Sequence, residues 1–98
     1  MSSSMHRTGV VIGTGALIEV SSDKCGFKPS RVQIVNVTDG SVHTWQDTMP
    51  DDYVWEDKGG TMNYRTSGGI TPLADGFSIG TQGNLNAAAD VLHFSAWG

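Results

Sequence analysis

Residues 31–46 read RVQIVNVTDGSVHTWQ, and this stretch decides the fold class. Its first half alternates, so that Val32, Ile34 and Asn36 share one face of an extended strand. Asp39-Gly40 follows, and an Asp-Gly pair between two β-like runs is a strong hairpin signal because both residues tolerate positive φ. The sequence therefore predicts an antiparallel hairpin at the centre of the fold.

Further short β-like runs, separated by turn residues, continue on both sides of this hairpin. Asp75-Gly76 predicts a second hairpin, with Phe77 and Ile79 pointing inward after it. The alanines at 87–89 are too few for an independent helix, and no helical period is sustained elsewhere. The predicted strands are residues 8–12, 16–20, 31–37, 42–45 (or 46), 62–65, 70–74, 77–80 and 91–97. This pattern predicts an all-β antiparallel fold of about seven to eight strands, either a β-sandwich or a small, jelly-roll-like β-barrel.

The length of 98 residues predicts one domain with a thin core. Residues 1–7 are polar and serine-rich and are predicted to form a flexible N-terminal arm, with a single domain over residues 8–98. Thirteen glycines and a charged fraction of 16% favour a turn-rich β protein that keeps part of its surface against a partner. Cys25 is the one cysteine, so it forms no intramolecular disulfide and is predicted to be a small buried residue.

The charge pattern argues against nucleic-acid and membrane partners. The net charge is −4 and the six cations are scattered, whereas a nucleic-acid or anionic-membrane surface needs clustered Lys and Arg. No apolar run has the length of a membrane span, and the first 20 residues make no convincing signal peptide. We therefore expect synthesis in a cytoplasm.

Residues 46–60 are the least regular part of the sequence. Acidic side chains between Asp47 and Asp57 alternate there with aromatic ones, without the oxygen spacing of an EF-hand loop. A solvated acidic loop with a few aromatic anchors is the simplest interpretation, and a contact surface for a partner is the alternative.

No pattern in the chain predicts an enzyme. His6, His43 and His93 lack zinc-ligand spacing, and the glycine-rich stretch at 9–15 is followed by a strand, where a dinucleotide-binding loop needs a helix. No G-x-S-x-G elbow is present. We therefore predict no catalytic residue, no metal and no cofactor.

Aromatic side chains are the remaining unusual feature. A domain this thin buries one or two of its three tryptophans, and Trp is enriched among interface anchors. Trp97 lies on the last predicted strand, near a sheet edge. The candidate contacts with a partner or a second subunit are Trp45, Tyr53, Trp55 and Trp97.

Several stretches together resemble small virion proteins of tailed bacteriophages. Residues 26–36, GFKPSRVQIVN, resemble that family's GF-x-P-x-x-V-x-I-x-N pattern, and Trp45 after the first hairpin also fits. The end of the chain resembles that family's closing pattern, which reads GI-T, GF-x-I-G-T, N and AD-x-(aliphatic)-x-(aromatic)-x-A-(aromatic). The corresponding residues here are 69–71, 75–81, Asn86 and 90–97.

The resemblance implies a structural role, an all-β fold and assembly, often as trimers, and it implies no catalytic residue. Such modules are capsid decoration (cement) proteins or parts of tails and fibres. A module that ends directly after its last strand suits decoration better, and the serine-rich arm could reach a neighbouring subunit. The predicted partner is then the major capsid protein, and the predicted location is the capsid surface of the virion.

Two alternatives from the sequence stay open. One is a tail-associated virion module, such as an adaptor or fibre-base protein. The other is a small carbohydrate-binding β domain that grips its ligand through Trp45, Trp55 or Trp97. Exposed, coplanar tryptophans with polar neighbours would favour the carbohydrate alternative, whereas tryptophans buried at a subunit contact would favour assembly.

Overall fold

The computed structural model describes residues 5–21 and 23–98, which form eight strands and no helix. All of the strand pairings are antiparallel. The strands are β1 (His6–Ile12), β2 (Ile18–Val20), β3 (Arg31–Asn36), β4 (Ser41–Gln46), β5 (Tyr53–Lys58), β6 (Thr61–Leu73), β7 (Gly76–Ile79) and β8 (Val91–Trp97). The all-β antiparallel prediction is confirmed.

The strands form one sheet in the order β1-β8-β3-β4-β5-β6-β7-β2, so β1 and β2 are its edges. At its centre lies the predicted hairpin of β3 and β4, in which Val32 pairs with Trp45 and Ile34 with His43. The Gly40 N–H donates to the Asn36 carbonyl at 2.8 Å, and Gly40 has a φ of 80°. The glycine therefore supplies the left-handed conformation that closes this turn.

Two phenylalanines show that the sheet is strongly curled. Phe77 on β7 and Phe94 on β8 pack edge to face with ring centroids 5.4 Å apart. Five strand spacings separate β8 from β7 in the sheet order, which would be about 24 Å in a flat sheet. The sheet therefore wraps round its own core as an open half-barrel, with an inner face that is buried and an outer face that is not.

The inner face carries one continuous hydrophobic core. Cys25 is 1% exposed and belongs to this core, as predicted. Phe77 and Ile79 also point inward as predicted, and so do alternate residues of β3 and β8. The buried apolar residues are Val11, Val20, Cys25, Phe27, Val32, Ile34, Trp45, Met49, Val54, Ile70, Phe77, Ile79, Leu85, Leu92, Phe94 and Ala96.

Strand β5 is the main departure from the sequence-based prediction, which placed it inside an acidic loop. Val54 and Glu56 point inward and are fully buried, while Trp55 and Asp57 between and after them point outward. The alternation of a half-buried strand is therefore present. A charged residue occupies an inward position, and that charge concealed the pattern.

Several strand boundaries also differ from prediction, and β2 and β3 are shorter than expected. Strand β6 is continuous through Gly68 and Gly69, where two separate runs were expected. The pairing of β5 with β6 shifts register between Tyr53 and Val54, and Gly69 lies beside this shift. A Cβ at Gly69 would overlap the Tyr53 backbone, so the glycine accommodates a bulge and does not end the strand. In the second hairpin Leu73 pairs with Gly76, so that glycine already belongs to β7 and is not the turn residue.

The N-terminal boundary also lies earlier than predicted. Strand β1 begins at His6, since His6 pairs with Trp97 and Arg7 with Ala96. Of the predicted arm, residues 1–4 lie outside the described residues. His6 and Arg7 belong to the sheet.

A buried asparagine joins the two ends of the half-barrel. The Asn86 amide donates to the carbonyls of Ala16 and Gly80 at 2.7 and 2.9 Å. Its side-chain oxygen accepts from the N–H groups of Thr14 and Gly15 at 2.9 and 3.3 Å. Asn86 therefore holds the β1–β2 connection against the segment that follows β7. Strand pairing does not join these two segments, because neither is part of a strand.

Candidate functional site

The outer face is where the chain presents side chains to other molecules, because the curl buries the inner face. Cross-strand pairing aligns one unbroken row across six strands of this face. None of the row's members is buried. In spatial order they are Thr8, Ser95, Gln33, Thr44, Trp55 and Tyr64.

Trp45 must be removed from the predicted set of contact residues. It points inward from β4, is 2% exposed, and its indole N–H donates to the Pro50 carbonyl at 3.0 Å. The physical reason is register: Trp45 pairs with Val32, whose side chain also points into the core. The sequence predicted that at least one tryptophan would be buried but did not say which, and Trp45 is buried.

The other three predicted aromatic residues do not form one cluster. Trp55 is 43% exposed on the outer face, directly opposite Tyr64, which is 53% exposed. Tyr53 is half-buried against the core and packs edge to face on Tyr64, with centroids 5.4 Å apart. Trp97 lies three strands away from Trp55 in the sheet order, so these tryptophans do not form a coplanar pair.

Trp97 is held in a stack of its own. The His6 ring lies on it with centroids 5.1 Å apart and an interplanar angle of 19°. The Arg31 guanidinium lies 4.9 Å from the Trp97 ring centroid, which is within cation–π range. These contacts fix the start of β1 against the end of β8.

A groove surrounds Trp55, and we call it the Trp55 groove. It consists of two adjoining cavities of about 440 and 270 Å³. The larger cavity is lined by Gln46, Thr48, Met49, Trp55, Met62 and Tyr64. The smaller shares Gln46, Trp55 and Met62 with it and adds Arg31, Gln33, Val42, Thr44 and Asp57.

A second outer feature is an apolar patch at the free edge of the sheet, which we call the β1 edge patch. It consists of Val10, Ile12 and Val37, which are 49%, 53% and 53% exposed. Ile12 pairs with Val91, and the Val37 N–H donates to the Val91 carbonyl at 3.0 Å, so the patch is continuous across the end of β8. Within the described residues β1 pairs only with β8, so the other side of its backbone is open.

The most concentrated polar chemistry lies inside the half-barrel, under the loop between β7 and β8. The Asn84 amide donates to Glu56 Oε2 at 2.6 Å, and Arg65 donates from Nε and Nη2 to Glu56 Oε1 at 3.0 and 2.8 Å. The Asn84 carbonyl accepts from the Asn36 amide at 3.0 Å and lies 3.2 Å from His43 Nε2. This network anchors a loop that has no strand of its own.

Asp39, Ser41 and His43 resemble the residue set of a catalytic triad, but their arrangement is different. The Ser41 hydroxyl lies 2.6 Å from Asp39 Oδ1 and 2.8 Å from His43 Nε2. A triad needs the carboxylate on the far side of the histidine, whereas here the carboxylate contacts the serine directly. Ser41 and His43 are fully buried, so no substrate can reach them. The three residues tie the β3–β4 turn to β4.

The ionisation of this network follows from burial and hydrogen bonding. Burial raises the pKa of the Glu56 carboxyl, but the hydrogen bonds from Asn84 and Arg65 lower it more, so the net pKa lies below its usual value. Burial likewise raises the pKa of Asp39, and the hydrogen bonds from Ser41 together with the Lys58 charge lower it further than that. Both carboxylates are therefore ionised at neutral pH.

His43 is neutral for the opposite reason. Burial lowers the pKa of its imidazole, and this effect outweighs the nearby negative charge of Glu56, which raises it. Because the Ser41 hydrogen is donated to Asp39, Nε2 of His43 carries the hydrogen in its contacts with Ser41 and Asn84. The other ring nitrogen, Nδ1, is buried without a partner among the described residues, so a second proton there would find no acceptor.

No three potential His, Cys, Asp or Glu ligands cluster within residues 5–21 and 23–98. Over the same residues there is no helix long and apolar enough to cross a bilayer.

Sequence reasoning missed the residues of the interior network. Glu56 was assigned to a solvated loop, and Arg65 and Asn84 were given no role. The signal that could have found Glu56 is its place two residues after Val54 in a Tyr-Val-Trp-Glu run, which is typical of a strand. Nothing local identifies Asn84, because its partners come from distant strands.

Comparisons of this chain with protein-family models, with curated proteins and with solved structures found no match.

Proposed function

We propose that this chain is a non-enzymatic virion structural protein, a decoration protein that binds the assembled shell of a tailed bacteriophage and stabilises it. The sequence resemblance to phage virion proteins supports the proposal, and the all-β fold agrees with what that resemblance implies. The major capsid protein is the proposed partner, and a homotrimer is the proposed assembly.

The β1 edge patch is the observation that carries the proposal. An edge strand with an open backbone can add to a partner's sheet, and soluble proteins usually block such edges with charged residues or proline. Strand β1 is seven residues long and has no proline, and its outward positions include the exposed Val10 and Ile12. By contrast, the other edge strand, β2, has three residues and carries Glu19. Among the described residues the β1 edge thus has no second strand partner, carries Arg7 near its start and is apolar over its second half, which suits a lasting contact.

Stabilisation of a shell follows from mass action. A protein that binds the assembled lattice, and not free subunits, shifts the equilibrium toward the closed particle by the free energy of its binding. Such a task needs an apolar contact that repeats with the symmetry of the lattice. It needs no accessible reactive group, and the burial of Ser41 and His43 is compatible with such a role.

Copy number is the decisive experiment. Particles of the phage or prophage that encodes the chain would be purified, and the chain would be quantified by mass spectrometry relative to the major capsid protein. The proposal expects a near-stoichiometric ratio. A few copies per particle would indicate the tail-associated alternative, and absence from particles would refute the virion assignment. Native mass spectrometry of the isolated chain would test the trimer separately.

A further inference from the structure

The Trp55 groove has a geometry suited to a small ligand, independently of any virion role. Trp55 lines both of its cavities, and its side chain is 43% exposed. Tyr64 is the cross-strand neighbour of Trp55, and directly opposed side chains of antiparallel strands have Cβ atoms about 5 Å apart. Met49, which is 9% exposed, lies at the bottom of the larger cavity. The groove thus has aromatic walls and an apolar floor.

The rim of the groove supplies both hydrogen-bond donors and acceptors. Arg31 only donates, Asp57 only accepts, and the amides and hydroxyls of Gln33, Thr44 and Gln46 do both. Neither Arg31 nor Asp57 belongs to the ion pairs that the described residues form, which join Lys58 to Asp39 and Arg65 to Glu56. The Asp57 carboxylate is therefore outside these ion pairs, the Arg31 guanidinium has the Trp97 ring as its contact, and the two charges cancel at the rim.

This combination favours a ligand without net charge. The carboxylate of Asp57 disfavours phosphates and other anions, and the guanidinium of Arg31 disfavours cations. Adjacent sugar hydroxyls need donors and acceptors side by side, while the apolar face of a pyranose ring needs an exposed aromatic face. We propose that the Trp55 groove binds a neutral oligosaccharide, with Trp55 as the stacking platform and Tyr64 as its second wall.

The proposal replaces the arrangement that the sequence suggested. Coplanar tryptophans are absent from the described residues, since Trp45 is buried and Trp97 is held under Arg31. The second aromatic wall is a tyrosine that sequence reasoning did not select. A shallow groove with one exposed indole predicts weak binding, with a dissociation constant on the order of 1 mM.

The test is a titration of the ¹⁵N-labelled full chain with maltohexaose, cellohexaose and chitohexaose, followed by amide chemical shifts. At least one sugar is expected to give saturable shifts confined to β3, β4, β5, β6 and the β4–β5 connection. In Trp55→Ala the affinity for that sugar is expected to fall at least about tenfold. Leu17→Ala is the matched control, because Leu17 is 60% exposed and lies outside the groove, and it should bind like the unaltered chain.

Two results would overturn the proposal. One is the absence of saturable shifts with all three sugars at about ten times the expected dissociation constant. The other is binding that Trp55→Ala leaves intact while its circular dichroism shows an unchanged fold. Neither result bears on the copy number in particles, so this proposal and the virion assignment fail independently.

Discussion

Glu56 shows how a single residue can determine the interior of this protein. Its side chain is 1% exposed and holds both Arg65 and Asn84, so one carboxylate joins β5, β6 and the β7–β8 loop. A buried charge is tolerated only where it is paired and hydrogen-bonded, and both conditions hold here. At the residue scale, the stability of the loop therefore depends on a carboxylate and a neutral imidazole that share the neighbour Asn84.

Replacement of Glu56 should destabilise the fold strongly. In Glu56→Ala the Asn84 amide loses its acceptor inside the protein and Arg65 loses its counter-charge, and we expect a loss of about 2–4 kcal/mol in the free energy of unfolding. Asp57→Ala is the matched control, since Asp57 is the next residue, exposed on the outer face, and should change stability by less than about 0.5 kcal/mol. Urea unfolding measures both. Equal effects of the two variants would contradict the anchoring role of Glu56.

The buried His43 imidazole should make the stability of the fold depend on pH. Since the pKa of His43 is lower in the folded state, the unfolded chain binds more protons as pH falls below about 6.5, and stability falls with it until the folded pKa is passed. The lowered pKa values of Asp39 and Glu56 act in the same direction at lower pH, below about 4.5. Stability is therefore greatest near neutral pH and falls in two stages on acidification.

His43→Gln tests the first of these stages. Chemical unfolding between pH 7 and 5 should show the decline in the unaltered chain, with a slope of at most about 1.4 kcal/mol per pH unit, and should not show it in this variant. His93→Gln is the control, because His93 is exposed on β8 and should leave the profile unchanged. A decline of the same slope in His43→Gln would assign the effect to another group.

At the scale of the elements, the sequence pattern predicted some strands correctly and missed others. Strand β3 was predicted with Val32, Ile34 and Asn36 on one face because of its alternation, and these three residues are the buried ones. Strand β5 was not predicted, because its second inward residue is charged. The turn before β7 was misplaced by one residue, because the glycine of Asp75-Gly76 serves packing and not the turn. A Cβ on Gly76 would overlap the carbonyl of Val20 on β2.

Gly76→Ala should therefore separate β2 from β7. The added methyl group meets backbone and not a flexible side chain, so relief requires movement of the edge strand, and we expect a loss of about 2 kcal/mol or more. Gly83→Ala is the control, since a Cβ at Gly83 meets nothing within 4 Å. Thermal unfolding compares the two. Retention of full stability in Gly76→Ala would show that β2 is not held in this position.

At the scale of the whole molecule, the curl creates one closed face and one open face. The closed inner face buries Ser41, His43 and Glu56, and the open outer face presents the Trp55 groove and the β1 edge patch at different places. Asn86 holds the curl where the sheet does not close on itself. The proposed contact with a shell and the proposed sugar site can therefore be altered separately.

Val10→Asp should abolish binding to the shell without unfolding the chain. Val10 is 49% exposed on the outer face of β1, so the charge costs little in the free protein but would be buried in a docked one. The measurement is cosedimentation of purified chain with particles that lack it, and we expect at least about a tenfold loss of bound protein. Leu17→Asp is the matched control and should bind normally. Normal binding by Val10→Asp would exclude the β1 edge patch as the contact.

The sequence by itself determined the fold class, the central hairpin, the shared face of Val32, Ile34 and Asn36 and the burial of Cys25, because each of these depends on neighbours along the chain. Alternation needs only residues two apart, and an Asp-Gly turn needs only its own backbone freedom. These local features therefore do not depend on how the side chains pack in the folded chain.

Only the tertiary structure decided which tryptophan is buried, that Glu56 lies inside, and that Asn84 and Asn86 hold the loop and the curl. Asn84 binds Glu56 from 28 residues away, and Asn86 binds Thr14 from 72 residues away. Partners at such distances are chosen by how far the sheet bends and by the register of every strand between them. No local pattern records either quantity, so the groove, the edge patch and the interior network became visible only in the folded chain.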